Sequence, residues 1–228
     1  YELGLDGKVT AGLRAEAKAQ IVDARWAVAE ELARSKLAGL ITPFDPESYN
    51  DNATIAENLI FGARMSPRFA NETLLFEPYA HAILKAESLV EPLVEVGSRI
   101  AGTVAEIFAG LPHGHALFER YSFGSGLDFD RVGELAALLD KHDMRSPLDA
   151  VAERDLVALA LGYIEPKHRL NLLDERLRER ILRARASFKM HLPADAVEDV
   201  DFYDPDKVML GASLRDNLMF GRIGHGIA

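Results

Sequence analysis

Phe44 to Gly62 reads FDPESYNDNATIAENLIFG, and Tyr203 to Gly221 reads YDPDKVMLGASLRDNLMFG. The two stretches align without a gap at an offset of 159 residues. Asp45, Pro46, Ala53, Asn58, Leu59, Phe61 and Gly62 recur as Asp204, Pro205, Ala212, Asn217, Leu218, Phe220 and Gly221. These seven identities stand where ordinary composition gives about one by chance. Six of the other twelve pairs are chemically alike, among them Phe44/Tyr203, Thr54/Ser213, Ile55/Leu214 and Glu57/Asp216. Internal similarity reports how a chain was assembled, so it comes before any local reading.

Each copy predicts the same small unit. Asp-Pro favours the turn that launches the next segment. Thr54-x-x-Glu57 and Ser213-x-x-Asp216 have the form of capping boxes. In that motif a hydroxyl accepts from the third residue's amide and the acid reaches back to the cap. The helix that follows directs Ile55, Leu59 and Phe61 inward, as it does Leu214, Leu218 and Phe220 in the second copy. Gly62 and Gly221 suit a left-handed C-terminal cap. Asn58 and Asn217 are expected to bond nearby backbone.

Thr54-Ile-Ala-Glu-Asn-Leu-Ile-Phe-Gly62 resembles the stretch just after the Q-loop in nucleotide-binding domains of ABC transporters. Those proteins carry a pattern of the form TIxENIxxG where their helical subdomain begins. Ser213-Leu-Arg-Asp-Asn-Leu-Met-Phe-Gly221 is similar. Between the copies, Glu153 to Ala160, then Pro166, then Leu170 to Glu175 resemble the run from signature helix to Walker B. The resemblance implies a parent ATPase that powers transport with ATP and magnesium. It implies as partners the rest of a nucleotide-binding domain and the transmembrane domains or subunits. The implied location is cytoplasmic, at a membrane through the parent transporter.

The departures are equally specific. Gly7-Lys8 is followed by Val9, and no glycine stands five positions before Gly7, so there is no Walker A loop to aim amides at phosphates. The only glutamine is Gln20, so neither copy has a Q-loop residue before it; Pro46 and Pro205 occupy roughly that place. No Gly-Gly pair exists from which to build a signature. Asn171 interrupts the apolar run that a Walker B strand needs. Leu173, Leu177, Ile181, Ala184 and Phe188 instead keep a helical spacing through Asp174-Glu175. The expectation is a fragment that neither binds a cofactor nor hydrolyses ATP.

Composition bounds the remaining classes. The 228 residues are 48% apolar, enough for a substantial core, and carry a net charge of −10. That charge argues against a nucleic-acid partner or an anionic membrane face. Zero cysteines exclude disulfides and thiolate metal sites. No apolar run approaches the roughly 18 residues a membrane helix needs, and no signal peptide is legible. The chain opens at Tyr1 and stops at Ile227-Ala228, which predicts a piece of a longer protein.

The periodicities predict a mainly α fold, a multi-helix orthogonal or bundle domain spanning 1–228 with at most a few short strands. Helices are expected over 11–37, with Leu13, Ile21, Trp26, Ala29 and Leu32 to one side, and over 74–111 as two pieces broken near Glu91-Pro92 or Gly97. Others are expected from Asp128 or Asp130 to Lys141, from Ser146-Pro147 to Gly162, and from Leu170 to Met190. Residues 63–73 read as loop, and Gly39-Leu-Ile41 and Asp201-Phe-Tyr203 as short strands before each Asp-Pro.

Candidate chemistry is sparse. His113-Gly-His115, with His81 on a preceding helix, offers imidazoles but no third ligand at metal spacing, which favours surface loop histidines. Gly124-Ser-Gly126 is too short for a phosphate fingerprint and reads as a turn. Arg176, Arg180 and Arg183 form a stripe that could grip an anion. The spacings Asp174–Arg178 and Glu179–Arg183 suit intrahelical pairs and favour a solvated face instead. Asp45 and Asp204 could serve acid–base chemistry only if the copies met in space; turn formation is the simpler role. The leading expectation is a non-catalytic scaffolding or regulatory domain of an ABC transporter ATP-binding protein. A self-associating module that forms a homodimer and an all-α small-molecule sensor or enzyme are the competing readings.

Overall fold

A computed structural model of the chain describes residues 4–109, 123, 125–142 and 146–225. In it the two copies meet and exchange partners. Helix α1 (Ala15–Arg34) leads through strand β1 (Ile41–Pro43) into the first copy, whose helix α2 (Ile55–Ile60) is followed by β2 (Gly62–Arg64). The second copy repeats that order with the helix Glu175–Met190, strand β3 (Val200–Phe202), helix Leu214–Met219 and strand β4 (Gly221–Ile223). Strand β1 pairs antiparallel with β4, aligning Thr42 with Arg222, and β2 pairs with β3, aligning Ala63 with Asp201. Each copy's leading helix likewise packs on the other copy's short helix. The arrangement has pseudo-twofold symmetry.

Between the copies lies a layer of helices: α3 (Asn71–Leu74), α4 (Pro78–Ala86), α5 (Val90–Phe108), α6 (Phe129–Lys141), α7 (Ala150–Leu161) and α8 (Glu165–His168). The two helices of the second copy are then α9 (Glu175–Met190) and α10 (Leu214–Met219). The main core runs through α2, α4, α5, α7 and α9, with Leu84, Leu93, Ile100, Leu156, Ile181 and Phe188 fully buried. A separate small cluster joins Phe44, Phe61, Tyr203, Met209 and Phe220. The chain is mainly α, and among the described residues no helix is long and apolar enough to cross a membrane.

Several expected boundaries move for local reasons. The break in 74–111 falls at Glu87–Leu89, where Ser88 takes a positive φ of 53°. Pro92 sits in the first turn of α5, where its missing amide costs no helical hydrogen bond. Helix α7 starts not at Ser146-Pro147 but after Asp149, which accepts the amides of Val151 and Ala152. The segment from Leu170 is neither strand nor helix until Asp174 caps α9 through the Leu177 amide; Asn171 has φ 53°. Residues 63–73 hold β2, a 3-10 turn and the start of α3 rather than a loop. On α1 the buried residue is Arg25, and Trp26 is 53% exposed.

Gly97 explains how closely α5 and α7 approach. A Cβ at Gly97 would lie 2.0 Å from the carbonyl oxygen of Leu156, and backbone cannot move aside cheaply. Gly102, one turn further along α5, has nothing within 4 Å of the same position. Gly97→Ala should therefore destabilise the fold by about 3 kcal/mol through overpacking. Gly102→Ala should instead stabilise it by about 0.5–1 kcal/mol through helix propensity. Chemical denaturation of both variants checks this; equal stabilities would refute the close contact.

Candidate functional site: the paired repeats

A buried arginine organises each copy, and it comes from the other one. Arg185 on α9 donates from Nε to the Asn58 carbonyl at 2.7 Å and from Nη2 to Asn58 Oδ1 at 3.0 Å. Its Nη1 reaches the carbonyls of Asp45, Pro46 and Ser48 at 3.1, 2.9 and 3.0 Å. Arg25 on α1 does the same for the second copy, reaching the carbonyls of Asn217, Asp204, Pro205 and Lys207 at 2.8, 3.1, 2.6 and 2.8 Å. Its Nη2 also donates to Asn217 Oδ1 at 3.3 Å. Each guanidinium lies over the aromatic ring it helps enclose, Arg185 4.4 Å from Phe61 and Arg25 4.2 Å from Phe220. Burial pulls Arg185 down to about 10 and lowers Arg25.

The repeated polar residues are consumed inside this arrangement. Asn58 Oδ1 accepts the Asn50 amide at 2.8 Å, and Nδ2 donates to the carbonyls of Asn50 and Thr54. With Arg185 that makes four bonds, the full capacity of a carboxamide. Asn217 repeats the pattern on Met209 and Ser213. Asp45 accepts the Glu47 amide at 2.9 Å and the Ser48 hydroxyl at 2.8 Å; these hold its carboxyl below the usual range. Asp204 is lowered by Lys207, 2.9 Å away, and by the Asp206 amide. Pro46 and Pro205 contribute the carbonyls that the guanidinia grip.

At the pseudo-twofold axis Phe44 stacks on Tyr203 with ring centroids 4.0 Å apart. Phe61 and Phe220 meet that pair edge-on, Phe220 at 5.5 Å from Phe44 and Phe61 at 5.4 Å from Tyr203. The left-handed caps fall on Phe61 (φ 52°) and Phe220 (φ 37°), not on the glycines. Gly62 and Gly221 serve close approach instead: a Cβ there would lie 2.7 Å from the Asp201 carbonyl or 2.5 Å from that of Thr42. The two capping boxes also differ. Thr54 and Glu57 complete both arms, whereas the shorter Asp216 bonds the Ser213 hydroxyl at 2.7 Å.

Beside the stacked rings is a hollow of about 240 Å³ bounded by Glu57, Arg64, Tyr203, Asp216 and Arg222. Its charges are engaged: Arg222 pairs with Glu57, and Arg64 donates to Asn71 Oδ1 at 2.6 Å. Burial, reinforced by Glu57, pushes the Tyr203 phenol up to about 12.

The arginine stripe separates. Arg183 turns to Glu87 at 3.3 Å, and Arg180 donates to the Ser88 carbonyl at 3.2 Å. Arg176 stays exposed, and with Arg99 and Arg180 it borders a groove of about 400 Å³ that Glu95 and Asp174 also line. The intrahelical pairs read from spacing do not form: Arg178 reaches Asp51 at 3.1 Å instead. His113, His115 and the glycine of Gly124 lie outside the described residues, among which no three His, Asp or Glu side chains cluster as a metal site. Asp45 and Asp204 are each held in their own turn, and no hydrogen bond joins them among the described residues.

Arg25 and Arg185 are the residues that sequence reading missed. A signal was present: Ile21, Ala24 and Arg25 align with Ile181, Ala184 and Arg185 at an offset of 160. The one-residue change from 159 hides this helix from a gapless comparison. No family model, curated protein or solved structure matches the chain.

Replacing Arg185 with Met should cost about 3–5 kcal/mol, because buried carbonyls and Asn58 lose their donor. Arg185→Lys should recover little of this, since one ammonium cannot span the same acceptors. Arg25→Met should cost less, about 1–3 kcal/mol, because α10 is more open to water than α2. Urea melts of the three variants test the order, and a neutral Arg185→Met would overturn it.

Proposed function

We propose that the chain is a non-catalytic helical scaffold domain of an ATP-driven transport protein, with the duplicated segment as its structural clasp. The observation that carries this reading is the fate of the repeated residues. Asn58, Asn217, Asp45 and Asp204 spend their hydrogen bonds on the chain's own turns, and the repeated aromatics fill the contact between copies. A segment that has been kept twice for packing needs no substrate to explain it. The resemblance of both copies to the post-Q-loop segment of ABC nucleotide-binding domains supplies the transport setting. Lack of a Walker A loop, a Q-loop glutamine and a signature in this sequence assigns ATP turnover to other parts of the parent.

Purified 1–228 should therefore show no magnesium-dependent ATP hydrolysis above buffer background. Millimolar ATP should also leave its thermal transition where it is, since a ligand that binds only the folded state raises it. Turnover that co-purifies with the folded chain, or a concentration-dependent upward shift with ATP, would sink the proposal.

A further inference from the structure

The pseudo-symmetry leaves one face of the molecule without the cover that its counterpart has. Aligning Arg25 with Arg185 places Ala17, Ile21, Ala24 and Val28 of α1 opposite Leu177, Ile181, Ala184 and Phe188 of α9. The α9 residues are all buried; the α1 residues are all only half-buried. The short helices show the same contrast. Ile55, Leu59 and Ile60 on α2 are buried, while Leu214, Leu218 and Met219 on α10 are half-buried. The difference comes from the helical layer between the copies, where Phe69 and Tyr79 close over Phe188 at 5.3 and 5.2 Å. The first amide of each short helix is met alike, Ile55 donating to the Tyr163 carbonyl and Leu214 to that of Gly7.

The rims of the two faces differ in charge. On α9, the edge that meets the layer carries Arg176, Arg180 and Arg183, and the layer answers with Glu87, which also accepts from Ser187 at 3.2 Å. The aligned positions on α1 are Glu16, Gln20 and Asp23. Among the described residues neither acid has an ion-pair partner, and both are exposed. A partner that covers α1 as the layer covers α9 must therefore bring cations where the layer brings an acid.

We propose that the α1/α10 face is a docking surface for a helical protein segment with an apolar stripe and a basic rim. A second copy of the chain is the poorer occupant, because it brings the same patch with the same two acids on a chain of net charge −10, not a basic rim. The inference stands apart from the transporter reading, since it rests on unequal burial of equivalent positions.

The test uses the whole chain and two fluorescein-labelled designed peptides of about twenty residues, long enough to hold a helix. Both carry a Leu/Ala stripe, one with a lysine rim and one with a glutamate rim. Fluorescence anisotropy should show the lysine peptide binding about tenfold more tightly, with the gap closing as salt rises. A Glu16→Arg/Asp23→Arg variant, which gives α1 the cations α9 already has, should reverse the order at unchanged melting temperature. Ile21→Asp should weaken both peptides. Failure of the lysine peptide to bind, equal affinities, or a preference unmoved by the double reversal would overturn the proposal. So would a chain that sediments as a dimer until Ile21→Asp separates it.

Discussion

Each half of this molecule is held in shape by a charged side chain belonging to the other half. A turn with four carbonyls pointing inward cannot form in a protein interior unless donors meet them, because each unpaired carbonyl costs of order 1–3 kcal/mol. Arg185 meets the carbonyls of Asp45, Pro46, Ser48 and Asn58 with one planar group, and Arg25 meets their counterparts. A guanidinium suits this task because its donors fan out in one plane and it is less strongly hydrated than an ammonium. The positive charge then finds a second favourable contact in the faces of Phe61 and Phe220. Among the described residues no carboxylate forms a direct bond with either arginine; backbone carbonyl dipoles supply the negative end.

That exchange accounts for the topology. Neither copy has a strand partner of its own, since β1 finds β4 and β2 finds β3. Neither copy is clamped by its own leading helix. The first copy therefore reaches its final form only once residues near 185 and 202 are in place, which gives this part of the fold a high sequence separation. Contacts of that kind close large loops and form late compared with helices such as α5 and α7.

Much of the mainly α fold was legible in helical spacing, since Leu177, Ile181, Ala184 and Phe188 are buried as their period requires. The strands before each Asp-Pro were also legible, shifted by a residue or two. Boundaries moved where a local device outweighed a composition signal: Asp149 capped α7 in place of Ser146, and Ser88 broke the chain in place of Pro92. The clasp was half legible. The aromatic, Asn and Gly positions announced themselves by repetition, but the clamping arginines did not, because an arginine on a helix ordinarily signals solvent. Only the partner surface, far away in sequence, turns Arg25 and Arg185 inward. The same ignorance of distant partners made Glu179–Arg183 look like a pair when Glu87 was closer.

The pattern of identity between the copies follows from where each residue sits relative to the axis. A residue on the axis touches its own counterpart, so Phe44 stacks on Tyr203 and any change must suit both rings at once. Asn58, Asn217 and the two arginines answer to one another through the clamps and are likewise fixed. Away from the axis that constraint disappears. Ala63 stands where the other copy has Arg222, so the ion pair to Glu57 exists on one side only. Glu57 completes a capping box that the shorter Asp216 cannot. The rims of α1 and α9 differ in charge, Glu16 and Asp23 standing where α9 has Arg176 and Arg183, and only the α9 rim meets the helical layer, through Glu87. A duplication held together at its centre was thus left free to give its two outer faces different surroundings.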